Sequence, residues 1–491
     1  MNPISRDEPW GVVGESRMVA TGHPLAAQAA AQMLREGGSA VDAAIAADAV
    51  LGVVEPMATG IGGDLLAMVV PPGGEVPLSY NGTGRSPAQF SLDALGNLPG
   101  RRIPERHVFS VTVPGVVRGW HDLHSRFGRL PWQRLFQVAI RTARDGFAVA
   151  PVAAREWELF EPVLRLDPVS AALYRADALP RAGDAFANPE LATVLEAVAN
   201  EGPDAFYLGA AAAASARAVQ QRGGALTPED FARHSGHFAP PASARFRGLT
   251  VLECPPNTHG IAVLHALQAL DALSLDPADP NTTVSMVEHM GRALQHAKET
   301  VADPAGNTVC TVVVDDTGLA VTLMSSIFKR FGSGIAAPGC GFVLQNRGFG
   351  FSQPGHINGP GPGKRPYHTV VPAAMLKDGA FHAGLGVVGG AMQPQGHVQL
   401  ITRLAAWGQP LQDAIDAPRW RLEADRALAL EAGTPPEVAA ALRAAGYHEP
   451  QGLGELGGRS DFGGAQVVLR DPLGRLVGGS DKRKDGLALA V

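Results

Sequence analysis

Through the first part of the chain, apolar positions recur at three- and four-residue intervals, the spacing that lines up one face of a helix. An Ala-rich amphipathic run starts at His23-Pro24 and reaches Glu36, where Gly37-Gly38 stops it. Ser39, three residues before Asp42, has the form of a capping box and predicts a second helix over 40–54. A turn-rich stretch from Glu55 to Asp64 leads into an apolar run, 65–70, that reads as a strand. Segments 115–127, 131–146, 187–201, 208–222 and 283–302 carry helical spacing, each bounded by Gly or Pro. From about residue 308 the texture changes to β-branched runs at 309–315, 320–324, 341–344, 370–376, 385–388, 465–469 and 476–479. Short turns such as Asp316-Thr317-Gly318 and Lys377-Asp378-Gly379 separate several of them and fit hairpins. A helical first part and a strand-rich second part predict an α+β fold, or layers in which the two parts share one core.

With 45% hydrophobic residues, the chain has enough apolar side chains for a sizeable core. Its 41 Lys+Arg against 47 Asp+Glu leave a formal charge of −6, which argues against a nucleic-acid-binding surface. Cys254, Cys310 and Cys340 are too scattered for a disulfide framework or a C-x-x-C metal site, so reduced thiols are expected. Met1 to Trp10 carries Arg6, Asp7 and Glu8 and no apolar signal region. The most apolar long stretch, 40–54, is interrupted by Asp42 and Asp48 and does not suit a membrane span. The expectation is a cytoplasmic globular enzyme with neither nucleic acid nor membrane as partner. The 491 residues leave open three domains, one large domain, or a precursor later cut into pieces.

Gly60-Ile61-Gly62-Gly63 follows a helix and precedes a strand, the reverse of a dinucleotide fingerprint, and no P-loop Lys-Ser/Thr follows it. His121-x-x-His124 places two imidazoles on one helical face with no further ligand beside them, so a solvated face is expected. A more specific signal begins at Thr308, which opens a strand after the loop Asp303-Pro304-Ala305-Gly306. A second strand, Ser325-Ser326 and Phe331-Gly332-Ser333-Gly334 follow. Read alone, this is a hairpin with a threonine at its mouth.

The wider context gives that threonine a chemistry. Met18-Val-Ala-Thr-Gly-His-Pro-Leu25, Gly37-Gly-Ser-Ala-Val-Asp-Ala-Ala44, Gly52-Val-Val-Glu-Pro56 and Ser110-Val-Thr-Val-Pro-Gly115 occur in order along the chain. Pro255-Pro-Asn257, Lys364-Arg-Pro366, Gly389-Gly390, Asp416-Ala-Pro-Arg-Trp420 and Gly479-Ser-Asp-Lys-Arg-Lys-Asp-Gly486 continue the series. Together they resemble the γ-glutamyltransferase family of N-terminal-nucleophile hydrolases over nearly the whole length.

The resemblance implies a four-layer αββα sandwich and a precursor that cuts itself at Asn307–Thr308. The products would be a helix-rich large subunit, 1–307, and a strand-rich small subunit, 308–491, sharing one domain. It makes Thr308 the nucleophile. A freed α-amine, of pKa about 7.7–8.0, then sits on the same residue as its base. It assigns the oxyanion donors to the backbone N–H groups of Gly389 and Gly390, and to Ser326 a hydroxyl that bonds the nucleophile. It implies no metal or organic cofactor, and a small-molecule amide or peptide-like substrate; a homodimer is compatible with it.

The clamp that recognises a glutamyl group in the family is altered here. Arg85 is out of register with the arginine expected before Pro87, Gln345-Asn346 replaces an acidic pair, and His368-Thr369 replaces a serine pair. The partner of the substrate α-amine is missing, so glutathione is not the expected substrate. Arg85, Asn346, Arg347, His368 and Thr369 remain as candidates for holding a different acyl group, with Arg85, Arg347 and His368 suited to an anion. These changes resemble an acylase-like or oxamate-amidohydrolase-like branch. The expected activity is that of a self-processing amidohydrolase or acyltransferase on a non-standard acyl amide. The alternatives are hydrolysis of an oxalyl-type or acyl side-chain bond, including C–C cleavage next to a carbonyl, and an uncut, non-catalytic homologue.

Overall fold

Alternation along the strands sorts the apolar residues onto two faces, and two sheets stack through one of them. In the computed structural model, which describes residues 11–301, 307–450 and 462–491, fourteen strands build two antiparallel seven-stranded sheets. In chain order these are β1 (Val12–Gly14), β2 (Met18–Thr21), β3 (Asp64–Val70), β4 (Leu78–Asn81), β5 (His237–Ala239), β6 (Ala242–Phe246) and β7 (Leu249–Glu253). The series continues with β8 (Asn307–Val314), β9 (Ala320–Phe328), β10 (Ala373–Lys377), β11 (Ala380–Val388), β12 (Gly464–Arg470), β13 (Leu476–Ser480) and β14 (Leu487–Ala490). One sheet runs β14-β2-β8-β9-β3-β4-β5 and the other β1-β13-β12-β11-β10-β7-β6.

Cys310, Val312 and Val314 of β8 and Met324 of β9 face the opposite sheet, where Leu252, Ala374, Phe381 and Val468 meet them. The alternate residues Val309, Val313 and Val321 turn outward to the helices. Two glycines on β11 let the sheets approach. A Cβ on Gly386 would lie 2.5 Å from Cys310 Sγ, and one on Gly384 2.8 Å from Val312 Cγ1.

Helices cover both outer faces, completing an αββα sandwich of the α+β class. On the β8 side lie α1 (Pro24–Arg35), α2 (Ala40–Val54), α3 (Val116–Phe127), α4 (Gln137–Asp145) and α5 (Pro189–Glu201). On the other lie α6 (Gly260–Asp271), α7 (Pro280–Thr300) and α8 (Met392–Ala405). The capping box at α2 forms as expected: Asp42 N–H donates to Ser39 Oγ at 3.1 Å, and Ser39 N–H to Asp42 Oδ2 at 2.9 Å.

Three expectations need correction. The first part is not simply helical, since it supplies seven strands of the two large sheets, β1 to β7. Most have only three to five residues, too few to establish a period of two against the surrounding helical pattern. The strand-rich second part also carries α8 and further helices at Leu411–Asp416 and Pro436–Ala444. The run at 341–344 contributes only the two-residue Phe342–Val343, and that at 370–376 starts pairing at Ala373. The segments read as a non-signal N-terminus, 1–10, and as most of the connector, 303–306, lie outside the described residues.

Candidate active site

Thr308 is the second residue of β8, at an irregularity of the sheet. Asn307 pairs with Phe328 but Val309 with Ser325, so Ser326 and Ile327 together stand opposite Thr308. An extra residue of this kind bends a strand and re-aims a side chain. Phe328 takes a φ of 78°, where a bulky residue is uncommon. The turn after α2 closes against this point. A Cβ on Gly63 would lie 2.3 Å from Ser326 O, and one on Gly62 2.1 Å from Val343 O, so only glycine fits at either position.

Thr308 is buried, and its hydroxyl meets α8 from the other sheet. Gln393 Nε2 donates to Thr308 Oγ1 at 2.7 Å, and Gln393 Oε1 accepts from Val371 N–H at 3.2 Å. Just before α8, Gly389 and Gly390 take φ values of 121° and 62°, which favour glycine at both positions. Their carbonyls accept from Met392 N–H and Gln393 N–H, at 3.1 and 3.0 Å, so the turn runs directly into the helix that carries Gln393.

Beside Ser326 lies a fully buried charged cluster. Arg347 Nη2 donates to Ser326 Oγ at 3.1 Å and Nη1 to Thr369 Oγ1 at 3.2 Å, while its guanidinium carbon stands 4.1 Å from the Phe328 ring centroid. Ser326 Oγ also accepts from Phe328 N–H at 2.9 Å. Arg347 Nε lies 3.8 Å from Asp64 Oδ2 and makes no hydrogen bond of its own among the described residues. Asp64 Oδ1 accepts from Gly84 N–H at 2.8 Å and Gln345 Nε2 at 2.9 Å, and Oδ2 meets His368 Nε2 at 3.3 Å. His368 Nδ1 accepts from Val370 N–H, so the ring proton resides on Nε2 and points at Asp64.

Burial pushes the Arg347 guanidinium down to about 9, still charged near neutral pH. Burial, aided by the Arg347 charge, holds His368 well below the ordinary imidazole range, so it stays neutral. Burial raises the Asp64 carboxyl, opposed by Arg347 and the Gln345 and Gly84 donors. The cluster thus presents one cation, already facing one anion, and a neutral imidazole.

The two remaining candidates lie apart from this network. Arg85 is exposed and donates to Gly363 O at 3.1 Å. Asn346 is buried but engaged in tying loops: Oδ1 accepts from Lys329 N–H at 3.0 Å, and Nδ2 donates to Glu105 O at 2.8 Å. His121 and His124 pack their rings against Trp132. Among the described residues, no group of three or more His, Cys, Asp or Glu side chains is placed to hold a metal ion. No described helix is long and apolar enough to cross a membrane.

Sequence reading passed over Asp64 and Gln393 as site residues, and took Gln345 only as the loss of an acidic group. A signal for Gln393 was available. Gln393, Gln395, His397 and Gln399 are all buried along α8, and amides spaced through an otherwise apolar helix need internal partners. Asp64 carried no such signal, because its partners come from distant segments.

Comparison with known proteins places this geometry in context. The sequence profile described as gamma-glutamyltranspeptidase matches residues 26–309 and 304–491. The chain is 32% identical to the glutathione hydrolase-like YwrD proenzyme of Bacillus subtilis, over 98% of this chain and 99% of that one. It is 34% identical to the oxamate amidohydrolase proenzyme of Klebsiella pneumoniae, over 96% of this chain and 98% of that one. Its structure superposes on that of a cephalosporin acylase from Bacillus halodurans with a TM-score of 0.91 and 32% identity, covering 100% of this chain and 99% of the other.

Proposed function

The chain belongs to the gamma-glutamyltranspeptidase family, and from that premise we propose that it is a self-processing amide hydrolase or acyltransferase with Thr308 as nucleophile. It is an enzyme of the N-terminal-nucleophile group, whose relatives carry the names glutathione hydrolase, acylase and oxamate amidohydrolase. The observation that carries the reading is the Thr308 hydroxyl itself. It is buried at the bulged start of a central strand and hydrogen-bonded from the helix that follows the Gly389-Gly390 turn.

In processing, Thr308 Oγ1 attacks the Asn307 carbonyl carbon, the C–N bond breaks, and the nitrogen takes the proton to become the α-amine of Thr308. Water then hydrolyses the ester, leaving parts 1–307 and 308–491. In turnover that amine accepts the hydroxyl proton as Oγ1 attacks the substrate carbonyl, and the departing amine of the substrate takes the proton. The N–H groups of Gly389 and Gly390 receive the oxyanion. Water, or a second amine in transfer, releases the acyl group. Ser326 stands opposite the nucleophile in the sheet register, and its hydroxyl accepts from Arg347 Nη2 and Phe328 N–H.

The acyl group we infer carries a carboxylate or carbonyl acceptor and no ammonium. Arg347 joins Ser326 to Thr369, His368 faces Asp64 next to it, and Arg347 Nε, 3.8 Å from Asp64 Oδ2, has no hydrogen-bond partner among the described residues. Asp64 already takes three donors and faces Arg347, and Gln345-Asn346 offers no carboxylate, so an α-ammonium would enter without a counter-ion of its own. The name of the oxamate amidohydrolase relative agrees with such a substrate.

Denaturing electrophoresis tests the processing, and N-terminal sequencing of the small fragment is expected to read Thr-Val-Cys-Thr. Thr308→Ala is expected to stay uncut and to lose turnover by about a thousandfold or more. Turnover by that variant would remove the assignment. A panel of oxamate, succinyl, glutaryl and γ-glutamyl amides is expected to favour the acyl groups without an ammonium.

A further inference from the structure

We propose that Gln393 is the positioning residue of the nucleophile, holding the Thr308 hydroxyl as a hydrogen-bond acceptor and tying it to the Gly389-Gly390 turn. The inference rests on the reading of Thr308 as nucleophile. The orientation of the Gln393 amide follows from its partners. Val371 N–H can only donate, so Oε1 faces it at 3.2 Å, and Nε2 is left to donate to Thr308 Oγ1 at 2.7 Å. Thr308 Oγ1 therefore receives a proton on one lone pair, and its own proton points away from Gln393, toward the group that removes it. One lone pair is engaged and the rotamer is held, which leaves the other lone pair for attack. The same N–H stabilises the negative charge that grows on Oγ1 as its proton leaves.

Gln393 joins three parts of the site. Its side chain holds the nucleophile, and its backbone N–H donates to Gly390 O at 3.0 Å, so one residue sets the spacing between hydroxyl and turn. Its Oε1 holds Val371, which follows His368-Thr369, and Thr369 Oγ1 is bonded to Arg347. Gln393 is fully buried, so water does not compete for these bonds.

Two variants separate positioning from packing. Gln393→Met keeps the length and bulk but neither donor nor acceptor. Gln393→Glu keeps both contacts only while its carboxyl is protonated. Two readouts report on the hydroxyl without a known substrate: cleavage at Asn307–Thr308 on denaturing gels, and the p-nitrophenol burst from p-nitrophenyl acetate. The Met variant is expected to slow both by about tenfold or more. Relative to the unaltered protein at the same pH, the Glu variant is expected to be slow at about pH 8 and to recover at about pH 5, where its carboxyl donates as the amide does. Packing alone predicts no such recovery, and if the Met variant does not fold, the Glu comparison decides.

A Met variant within about twofold of the unaltered protein, or a Glu variant whose relative rate does not change with pH, overturns the proposal. Thr308→Ala run alongside separates the two readings. Cleavage or a burst in that variant removes the nucleophile assignment. An inert Thr308→Ala beside an unaffected Gln393→Met removes only the role of Gln393.

Discussion

Arg347 and Asp64 stand fully buried at 3.8 Å, and each is the main charge the other sees. Arg347→Met would leave the Asp64 carboxylate without its cation, a change that costs about 3–5 kcal/mol in buried pairs. Acid should soften this loss, because burial already raises the Asp64 carboxyl and Arg347 is the main group opposing that rise. Without Arg347 the Asp64 carboxyl rises further, so its protonated form contributes stability that is present at low pH and lost as pH rises through the folded pKa. Denaturant titration of Arg347→Met is expected to show the largest loss near pH 8 and a smaller one near pH 5. Arg347→Met/Asp64→Asn should recover much of it, and a double variant no better than the single would contradict the pairing.

Behind β9, Ser325 Oγ donates to Asp48 Oδ1 at 2.5 Å and Trp120 Nε1 to Asp48 Oδ2 at 2.8 Å. Burial pushes the Asp48 carboxyl from 3.8 up to about 6, so the fold favours its protonated form. The stability this contributes is fully present below pH 3.8 and lost as pH rises to about 6, a shift worth about 3 kcal/mol. Glu55, raised to about 7, acts in the same direction, and His23, lowered to about 4, in the opposite one. Comparison with Asp48→Asn in the Thr308→Ala background isolates the Asp48 share. The stability difference between the two proteins should shift by that amount from about pH 4 to about pH 6. A difference that stays flat with pH would count against it.

At the scale of elements, the contact between sheets depends on β11 presenting glycine to β8 and β9. A methyl group at position 386 would meet Cys310 Sγ at 2.5 Å and Met324 Sδ at 2.9 Å. Gly386→Ala is therefore expected to destabilise the protein by about 1–3 kcal/mol, the range for overpacked cores. Because Cys310 is two residues beyond Thr308 on the same inward face, the same variant should also slow processing. Cys310→Ala in the Gly386→Ala background makes room for the methyl and should restore part of both, as read by thermal melting and electrophoresis; no restoration would mean that the clash lies elsewhere. The same elements show how far the pattern of residues reached. The helices α1 and α2 and the strand at Thr308 were legible, because long periodic runs and a capping box declare themselves locally. β5 and β6 were not: His237–Ala239 has three residues and none of them buried, and Ala242–Phe246 alternates but runs for only five residues.

At the scale of the molecule, the parts before and after the Asn307–Thr308 bond interleave rather than stand side by side. β8 lies between β2 of the first part and β9 of the second, and β9 pairs in turn with β3. In the other sheet β1 pairs with β13 and β10 with β7. The proposed cleavage before Thr308 would therefore cut β8 after its first residue and leave the ladders from Val309 onward joined. The two fragments are expected to co-elute on size exclusion in native buffer and to part only in denaturant. Separation under native conditions would show that processing dismantles the sandwich.

The order of motifs, the α+β class and the threonine at the mouth of a strand were determined by the sequence, because each is written in neighbouring residues; the αββα layering came only with the family resemblance that those motifs carry. The sequence also determined the loss of the acidic pair at Gln345-Asn346 and the presence of Arg347, His368 and Thr369. Which of these side chains meet was decided by tertiary structure alone. Asp64 reaches His368 across 304 residues, and Gln393 reaches Thr308 across 85. Arg85 turns outward although the adjacent Gly84 binds Asp64. The physical reason is that a buried polar group must find its partner wherever the chain brings one within about 3 Å. That distance is set by the stacking of two sheets, which no local pattern encodes.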